Sequence, residues 1–167
     1  MRKQRARPPG RVHVGAAVYA GIAGGILGTI VQIVLWAVFA ENWPTILFRD
    51  ARFAAAIVMG RSVLPPPATF DWPIMLVATL VHFALSILYA LILAGLIARR
   101  PTASAVVTGA VYGLLLYAVN MFGFTVIFPW FAASRDWITA AAHGAFGAAA
   151  AGAYRLAVGA SEKRTRR

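Results

Sequence analysis

Residues 74–98 read IMLVATLVHFALSILYALILAGLIA, twenty-five consecutive residues without a formal charge, and Arg99 and Arg100 follow them directly. A helix rises about 1.5 Å per residue, so this stretch exceeds the roughly 30 Å hydrocarbon core of a bilayer and predicts a transmembrane helix. A polar stripe inside a membrane packs against protein, so we expect partner helices elsewhere in the chain. The stripe shares one helical face by its spacing and consists of Thr79, His82, Ser86 and Tyr89.

The composition of the 167 residues is typical of an integral membrane protein. Hydrophobic residues make up 60% of the chain and charged residues 13%, whereas soluble domains carry about 25% charged residues. The mean hydropathy is +0.73. Cysteine is absent, which excludes disulfides, thiolate metal sites and cysteine nucleophiles. We expect four membrane spans and no separate soluble domain.

Hydropathy predicts an all-α fold, a four-helix transmembrane bundle flanked by basic tails. The predicted tails are residues 1–11 and 160–167, and the membrane domain between them is residues 12–159. The four predicted spans are residues 12–40, 74–98, 104–128 and 137–159.

Two features of the first half of the chain need an interpretation. A helix lying in the membrane interface is expected within the loop of residues 41–73, begun by Asn42 and ended by Gly60. A signal peptide is the rival interpretation of the first span, because Val38-Phe39-Ala40 resembles a cleavage site. Signal h-regions run only about 7–15 residues, so a retained span is favoured.

The distribution of charge predicts the topology. Twelve basic residues and one acid, Glu162, fall on the side of the two tails, whereas four basic and four acidic residues fall on the opposite side. The net charge of +11 therefore lies on one face. The positive-inside rule makes this face cytoplasmic, so we expect a multi-pass protein of the bacterial inner membrane with both termini inside. This placement explains the basic composition without nucleic acid, and it predicts contact between the tails and anionic lipids.

Glycines recur on the predicted spans at spacings that allow helices to approach closely. The four predicted helices can cover only some of these glycine-bearing faces by packing on one another, so we expect the protein to pack with itself or with other membrane subunits. The predicted helix-packing residues are Gly21, Gly25, Gly28, Gly109, Gly113, Gly144 and Gly152.

Each predicted span also carries one amide or imidazole at nearly the same depth. Each lies seven to nine residues from the outer end of its span, which corresponds to about 10–14 Å. The four residues are Gln32, His82, Asn120 and His143. If these faces turn inward, the side chains form one polar layer slightly outside the midplane. The polar residues expected to support this layer are Thr79, Ser86, Tyr89, Tyr117 and Thr139.

Three interpretations of the polar layer are open. The first is a structural hydrogen-bond layer, whose contacts contribute about 0.6–2 kcal/mol each. The second is a proton or ion relay, because intramembrane ionisable groups mark such pathways and histidine titrates near neutral pH. The third is ligation of b-type haem or a metal by His82 and His143. Apart from this third interpretation, no cofactor is expected.

Three segments carry a resemblance to a known family: His82-Phe83-Ala84-Leu85-Ser86-Ile87, the glycine-led third span ending Ile127-Phe128-Pro129, and Ala142-His143-Gly144. Over roughly residues 75–155 the chain resembles the YagU-type family of small bacterial inner-membrane proteins. The resemblance supports the predicted topology. Because that family is linked to acid resistance, the resemblance also implies a stress-related role.

The sequence shows no catalytic constellation. It lacks a phosphate-binding glycine loop followed by lysine, a metalloprotease helix motif, and a nucleophile paired with a base. The sequence therefore predicts a non-enzymatic protein, a packing or accessory subunit of a membrane assembly or a homo-oligomer. The alternatives are a small transporter that handles protons or ions through the polar layer, and a membrane subunit that binds haem or a metal.

Overall fold

The computed structural model describes residues 12–165, so the predicted tail of residues 1–11 and the last two residues of the other tail lie outside it. Every regular element in the described range is helical, which confirms the all-α prediction. The five α-helices are α1 (Val14–Phe39), α2 (Trp43–Met59), α3 (Trp72–Ile97), α4 (Thr102–Ala118) and α5 (Trp137–Thr165).

Three helical segments are long and apolar enough to cross a membrane, namely Val14–Phe39, Trp72–Ile97 and Thr102–Val126. Only 22–28% of the most apolar part of each is buried within the protein, so most of this apolar surface is exposed. The alanine- and glycine-rich helix α5, predicted as the fourth span, does not belong to this group. It lies between α1 and α4 and packs along both.

The helix ends differ from the predicted spans in two places. The third span was predicted as one helix, but α4 ends at Ala118 and continues as a π-helical turn, Val119–Gly123, and a 3₁₀ turn, Phe124–Val126. Helix α5 runs to Thr165, so the described part of the predicted tail after residue 159 is helical. Lys163 and Arg164 in its last turn favour this extension, because cations stabilise the C-terminal end of a helix.

Helix α2 begins after Asn42 and ends at Gly60, the same two residues that delimit it in the sequence. Gly60 has φ +80°, a left-handed conformation that glycine adopts without steric cost. The helix packs along α3 and buries Phe53, Ala55 and Ala56. Arg52 fixes the chain that follows, because its Nη1 donates to the carbonyl of Val63 at 2.9 Å.

Glycines set the closest helix crossings. A Cβ added to Gly21 would lie 2.6 Å from Cα of Ile87 on α3, and one added to Gly24 would lie 2.9 Å from Cβ of Ala150 on α5. Substituents at Gly109 and Gly113 would collide with the backbone of α5. Helices α1 and α3 therefore pack closely, and α5 packs closely on α1 and α4. In contrast, α3 and α4 scarcely touch.

The bundle has two distinct halves. We call the end where α1 begins and α5 ends the tail end, and the opposite end, which carries residues 41–71 and 127–136, the loop end. The tail-end half is filled by small and branched side chains around Tyr154, including Ala17, Ala20, Leu93 and Ile97. The gap between α3 and α4 lies in the loop-end half, where the polar residues are located.

Candidate functional site: an uncharged cavity in the loop-end half

A cavity of about 500 Å³ lies between α3 and α4. Helices α1 and α5 line it with residues such as Gly28 and Phe146, and α2 covers it with Ala54 and Ile57. The segment that follows α4 adds three phenylalanines, among them Phe124. None of the described residues that line the cavity carries a formal charge.

The polar residues predicted to share one depth all line this cavity. They come from α1, α3, the π turn after α4, and α5, and they are Gln32, His82, Asn120 and His143. The predicted supporting residues divide into three groups. Ser86 and Tyr89 also line the cavity. Tyr117 and Thr139 instead contact His143 from outside the wall.

Thr79 takes no part in the site. Its side chain is exposed, and its hydroxyl donates to the carbonyl of Met75 one turn earlier on the same helix, at 2.7 Å. The predicted packing glycines also divide. Gly21, Gly25, Gly28, Gly109 and Gly113 lie at close helix crossings. Added Cβ atoms at Gly144 and Gly152 would lie 3.5 and 3.9 Å from side chains of α4, which is ordinary contact distance.

His143 is held through both ring nitrogens. Its Nδ1 lies 2.8 Å from the carbonyl oxygen of Thr139, which can only accept, so Nδ1 carries the hydrogen. Its Nε2 then accepts from the Asn120 side-chain amide at 3.4 Å. The amide oxygen of Asn120 accepts from the hydroxyl of Tyr89 at 2.9 Å. A continuous chain of hydrogen bonds therefore joins α3, the π turn and α5.

The same chain reaches the beginning of α5 through Thr139. The Gln32 side-chain amide donates to the Thr139 hydroxyl at 3.4 Å, and that hydroxyl donates to the Asp136 carboxylate at 3.3 Å. Asp136 also accepts from the backbone N–H of Thr139 at 2.8 Å, an N-cap contact. The role of Asp136 could have been recognised in the sequence, because an aspartate one residue before an apolar helix is a common N-cap.

His82 bonds to α1 through one nitrogen only. Its Nε2 lies 3.4 Å from the carbonyl of Gly25 and 3.3 Å from the hydroxyl of Thr29. A Cβ at Gly25 would approach this nitrogen to 3.2 Å, so the glycine makes room for the imidazole. Sequence reasoning missed Thr29, although its spacing of four from Gly25 and three to Gln32 places it on the same helical face.

Three polar atoms of the cavity wall have no hydrogen-bond partner within residues 12–165, and none of them is fully buried. They are Nδ1 of His82, Oε1 of Gln32 and Oγ of Ser86. The rim is apolar by contrast, with exposed fractions of 70% at Val58, 50% at Leu88 and 42% at Phe124. The cavity thus combines polar wall residues with exposed hydrophobic side chains at its rim.

The loop-end segments hold α2 over the cavity. Ser134 donates to the Asp50 carboxylate at 3.2 Å, and Trp130 Nε1 donates to the carbonyl of Phe53 at 3.1 Å. Burial raises the pKa of the Asp50 carboxyl, although the adjacent Arg49 guanidinium, 2.8 Å away, opposes that rise. Arg135 fixes the π turn, because its Nε donates to the carbonyl of Met121 at 2.6 Å.

Comparison with known proteins adds no relative. No protein-family model matches the chain, and neither a curated protein nor a solved structure is significantly similar to it. The resemblance to the YagU-type family therefore stays a prediction. Across residues 12–165, no group of three or more histidine, aspartate or glutamate side chains is placed to hold a metal ion.

Proposed function

We propose that the chain is a non-enzymatic, multi-pass protein of the bacterial inner membrane that binds an uncharged, lipid-soluble guest in its loop-end cavity. In this proposal α1, α3, α4 and α5 are four spans, and both termini are cytoplasmic. The charge excess at the tail end supports this orientation. The position of α5 between α1 and α4 supports the interpretation of α5 as a span, because a membrane helix that other helices cover needs less apolar surface for contact with lipid.

One observation carries the proposal: polar side chains from four separate elements converge on an uncharged cavity whose mouth is apolar. Sites for small ligands typically measure about 300–1,000 Å³ and combine apolar walls with a few placed polar groups. Val58 and Leu88 at the mouth would face acyl chains in a bilayer, so a guest would enter sideways from the membrane.

The proposal retains an accessory or self-associating role for the protein. Gly144 and Gly152 lie on a face of α5 that only side chains of α4 approach, at ordinary contact distances, so another helix could come close there. Guest binding would be the specific contribution that this subunit makes to its assembly.

A transmembrane proton or ion relay has less support. The hydrogen-bond chain from Tyr89 passes through His143 to a backbone carbonyl, which cannot pass a proton on by exchange. The tail-end half is packed with buried apolar side chains, among them Leu93 with an exposed fraction of 1% and Ile97 with 0%. A path to the cytoplasmic side would therefore require these helices to separate.

Ligation of haem or a metal is also the weaker alternative. Both ring nitrogens of His143 make hydrogen bonds, and Nε2 would have to leave Asn120 before it could bind a metal. The haem interpretation predicts a reducible Soret band in the purified protein. Loss of this band on substitution of His82 or His143 would support it over guest binding.

Native mass spectrometry of protein released gently from its own membranes tests the proposal. Ala84 lines the cavity and is exposed, so Ala84→Trp places a large side chain in the opening. Ala118 on α4 is also exposed but does not line the cavity, so Ala118→Trp is the matched control. We expect a bound small molecule on wild type and control that is missing from Ala84→Trp. The same guest on all three proteins would refute the proposal.

A further inference from the structure

The charge of the cavity restricts the chemistry of its guest. No lysine, arginine, aspartate or glutamate lines it within the described chain. The nearest acid on the hydrogen-bond chain, Asp136, is bound by the N–H and hydroxyl of Thr139. An ionised headgroup would therefore enter the cavity without a counter-charge, which is strongly unfavourable away from water. The guest should be neutral.

The unpaired atoms of the polar wall restrict the chemistry further. Nε2 of His82 faces the carbonyl of Gly25, which can only accept, so in the neutral imidazole Nε2 carries the hydrogen and Nδ1 is an acceptor. The nitrogen of the Gln32 amide donates to Thr139, which leaves its Oε1 as an acceptor. The hydroxyl of Ser86 can donate or accept. Two of the three unpaired atoms thus require a donor from the guest.

We infer that the cavity binds a neutral amphiphile with a hydroxyl headgroup, which donates to His82 Nδ1 while its alkyl tail lies between α3 and α4. This inference rests on the proposed function and adds the chemical class of the guest. The O–H group satisfies an acceptor that would otherwise stay unpaired, and the tail covers apolar rim residues such as Leu88 and Phe124.

Four probes of equal chain length test this assignment on the full chain in nanodiscs. They are 1-dodecanol, its methyl ether 1-methoxydodecane, dodecanoate and dodecylammonium. Native mass spectrometry measures the fraction of protein that carries each probe at equal mole fraction in the bilayer. Because one hydrogen bond is worth about 0.5–1.5 kcal/mol, we expect dodecanol to bind about 2- to 13-fold more tightly than the ether. Both ionised probes should bind more weakly than dodecanol.

Nitrogen NMR of ¹⁵N-histidine protein locates the contact. Dodecanol should shift the Nδ1 resonance of His82, whereas the ether, which has no donor, should leave it in place. The His82→Phe variant identifies the resonance by its loss and should also lose most of the preference for alcohol over ether. The comparison of probes on wild-type protein stands even if this variant fails to fold.

The outcomes separate this inference from the proposed function. Equal binding of alcohol and ether, or tighter binding of an ionised probe, would overturn the hydroxyl assignment while leaving the cavity as a guest site. A native guest that Ala84→Trp removes, together with no dodecanol binding, would have the same meaning. Failure of all four probes to bind, without any native guest, would overturn both proposals.

Discussion

The side-chain amide of Asn120 donates to Nε2 of His143 across 3.4 Å, and this contact joins the π turn after α4 to the interior helix α5. The amide oxygen of Asn120 accepts from Tyr89 on α3 at the same time. One amide therefore connects the two helices on either side of the cavity, α3 and α4, which make few other contacts with each other. Its hydrogen bonds contribute to the spacing of the cavity walls.

Replacing Asn120 should loosen the loop-end half of the bundle. Asn120→Leu leaves Nε2 of His143 and the hydroxyl of Tyr89 without these partners, so we expect a loss of about 1–2 kcal/mol in unfolding free energy. Asn42→Leu is the control, because Asn42 is exposed and its side chain makes no capping hydrogen bond. Reversible unfolding in mixed micelles measures both variants, and equal stabilities would contradict the structural role of the amide.

Gly113 in α4 and Gly95 in α3 should respond unequally to a single added methyl group. In Gly113→Ala the added Cβ collides with the carbonyl of His143, so α4 and α5 must separate. We expect a loss of about 1–3 kcal/mol, as for other overpacked sites. Gly95→Ala is the matched control in α3, because an added Cβ there meets no described atom within 4 Å. It should be neutral or stabilise the helix by up to about 1 kcal/mol.

Thermal unfolding in detergent distinguishes these two alanine variants. A smaller effect at Gly113 than at Gly95 would mean that α4 and α5 do not cross at His143. The same comparison also probes the site, because a shift of α5 at this crossing displaces the residue whose imidazole binds Asn120.

A common depth of the polar residues is a prediction that the sequence allows, because an α-helix rises by a constant distance per residue and its ends are marked by charges and prolines. Counting from these ends places Gln32, His82 and His143 at one level. Their common cavity also depends on helix rotation, which the three-four-three spacing around His82 indicates only for α3. For the other helices the rotation follows from glycine crossings, such as the crossing of α4 on α5 at Gly113.

The π turn after α4 and the position of α2 over the cavity could not be predicted from local sequence. Residues 119–123 read VNMFG, a segment equally compatible with an ordinary helix. The turn is held by Arg135, which donates to the carbonyl of Met121 from fourteen residues away. Helix α2 was predicted from its delimiting residues, Asn42 and Gly60. The packing of α2 on the cavity depends on residues far away in the sequence, such as Ser134, which donates to Asp50 of α2, and no local pattern reveals such contacts.

The buried carboxyl of Asp50, which holds α2 through Ser134, should make the stability of the folded protein depend on pH. Burial raises the pKa of Asp50 above its ordinary value of 3.8, so the folded protein keeps a proton that the unfolded chain has already lost. This contribution to stability is fully present below pH 3.8 and is lost as the pH rises through the folded-state pKa. The unfolding temperature of Asp50→Asn minus that of wild type should therefore increase over this pH range and then level off.

Ser134→Ala provides a second measurement of the same anchor. The Ser134 hydroxyl donates to the ionised carboxylate and thereby lowers the pKa of Asp50, so its removal should raise this pKa further. The pH-dependent range should then extend to higher pH. A difference between wild type and Asp50→Asn that shrinks as the pH rises would contradict a raised pKa.

The number of spans can be decided by labelling single cysteines, because the chain has no cysteine of its own. Ser62, Ala103 and Ala160 are exposed positions after α2, at the beginning of α4 and near the end of α5. With four spans and cytoplasmic termini, an impermeant maleimide should label Ser62→Cys in intact spheroplasts. It should label Ala103→Cys and Ala160→Cys only after permeabilisation.

The labelling pattern of Ala160 separates a four-span from a three-span protein. If α5 does not cross the membrane, Ala160→Cys reacts from outside together with Ser62→Cys, while Ala103→Cys stays protected. Labelling of Ala103→Cys without labelling of Ser62→Cys in intact spheroplasts would instead mean that the orientation is reversed. Because His143 and Asn120 line the cavity together, the crossing of α5 also decides whether the polar wall lies within the bilayer. Only in that position would a guest dissolved in the membrane reach His82 through the apolar rim.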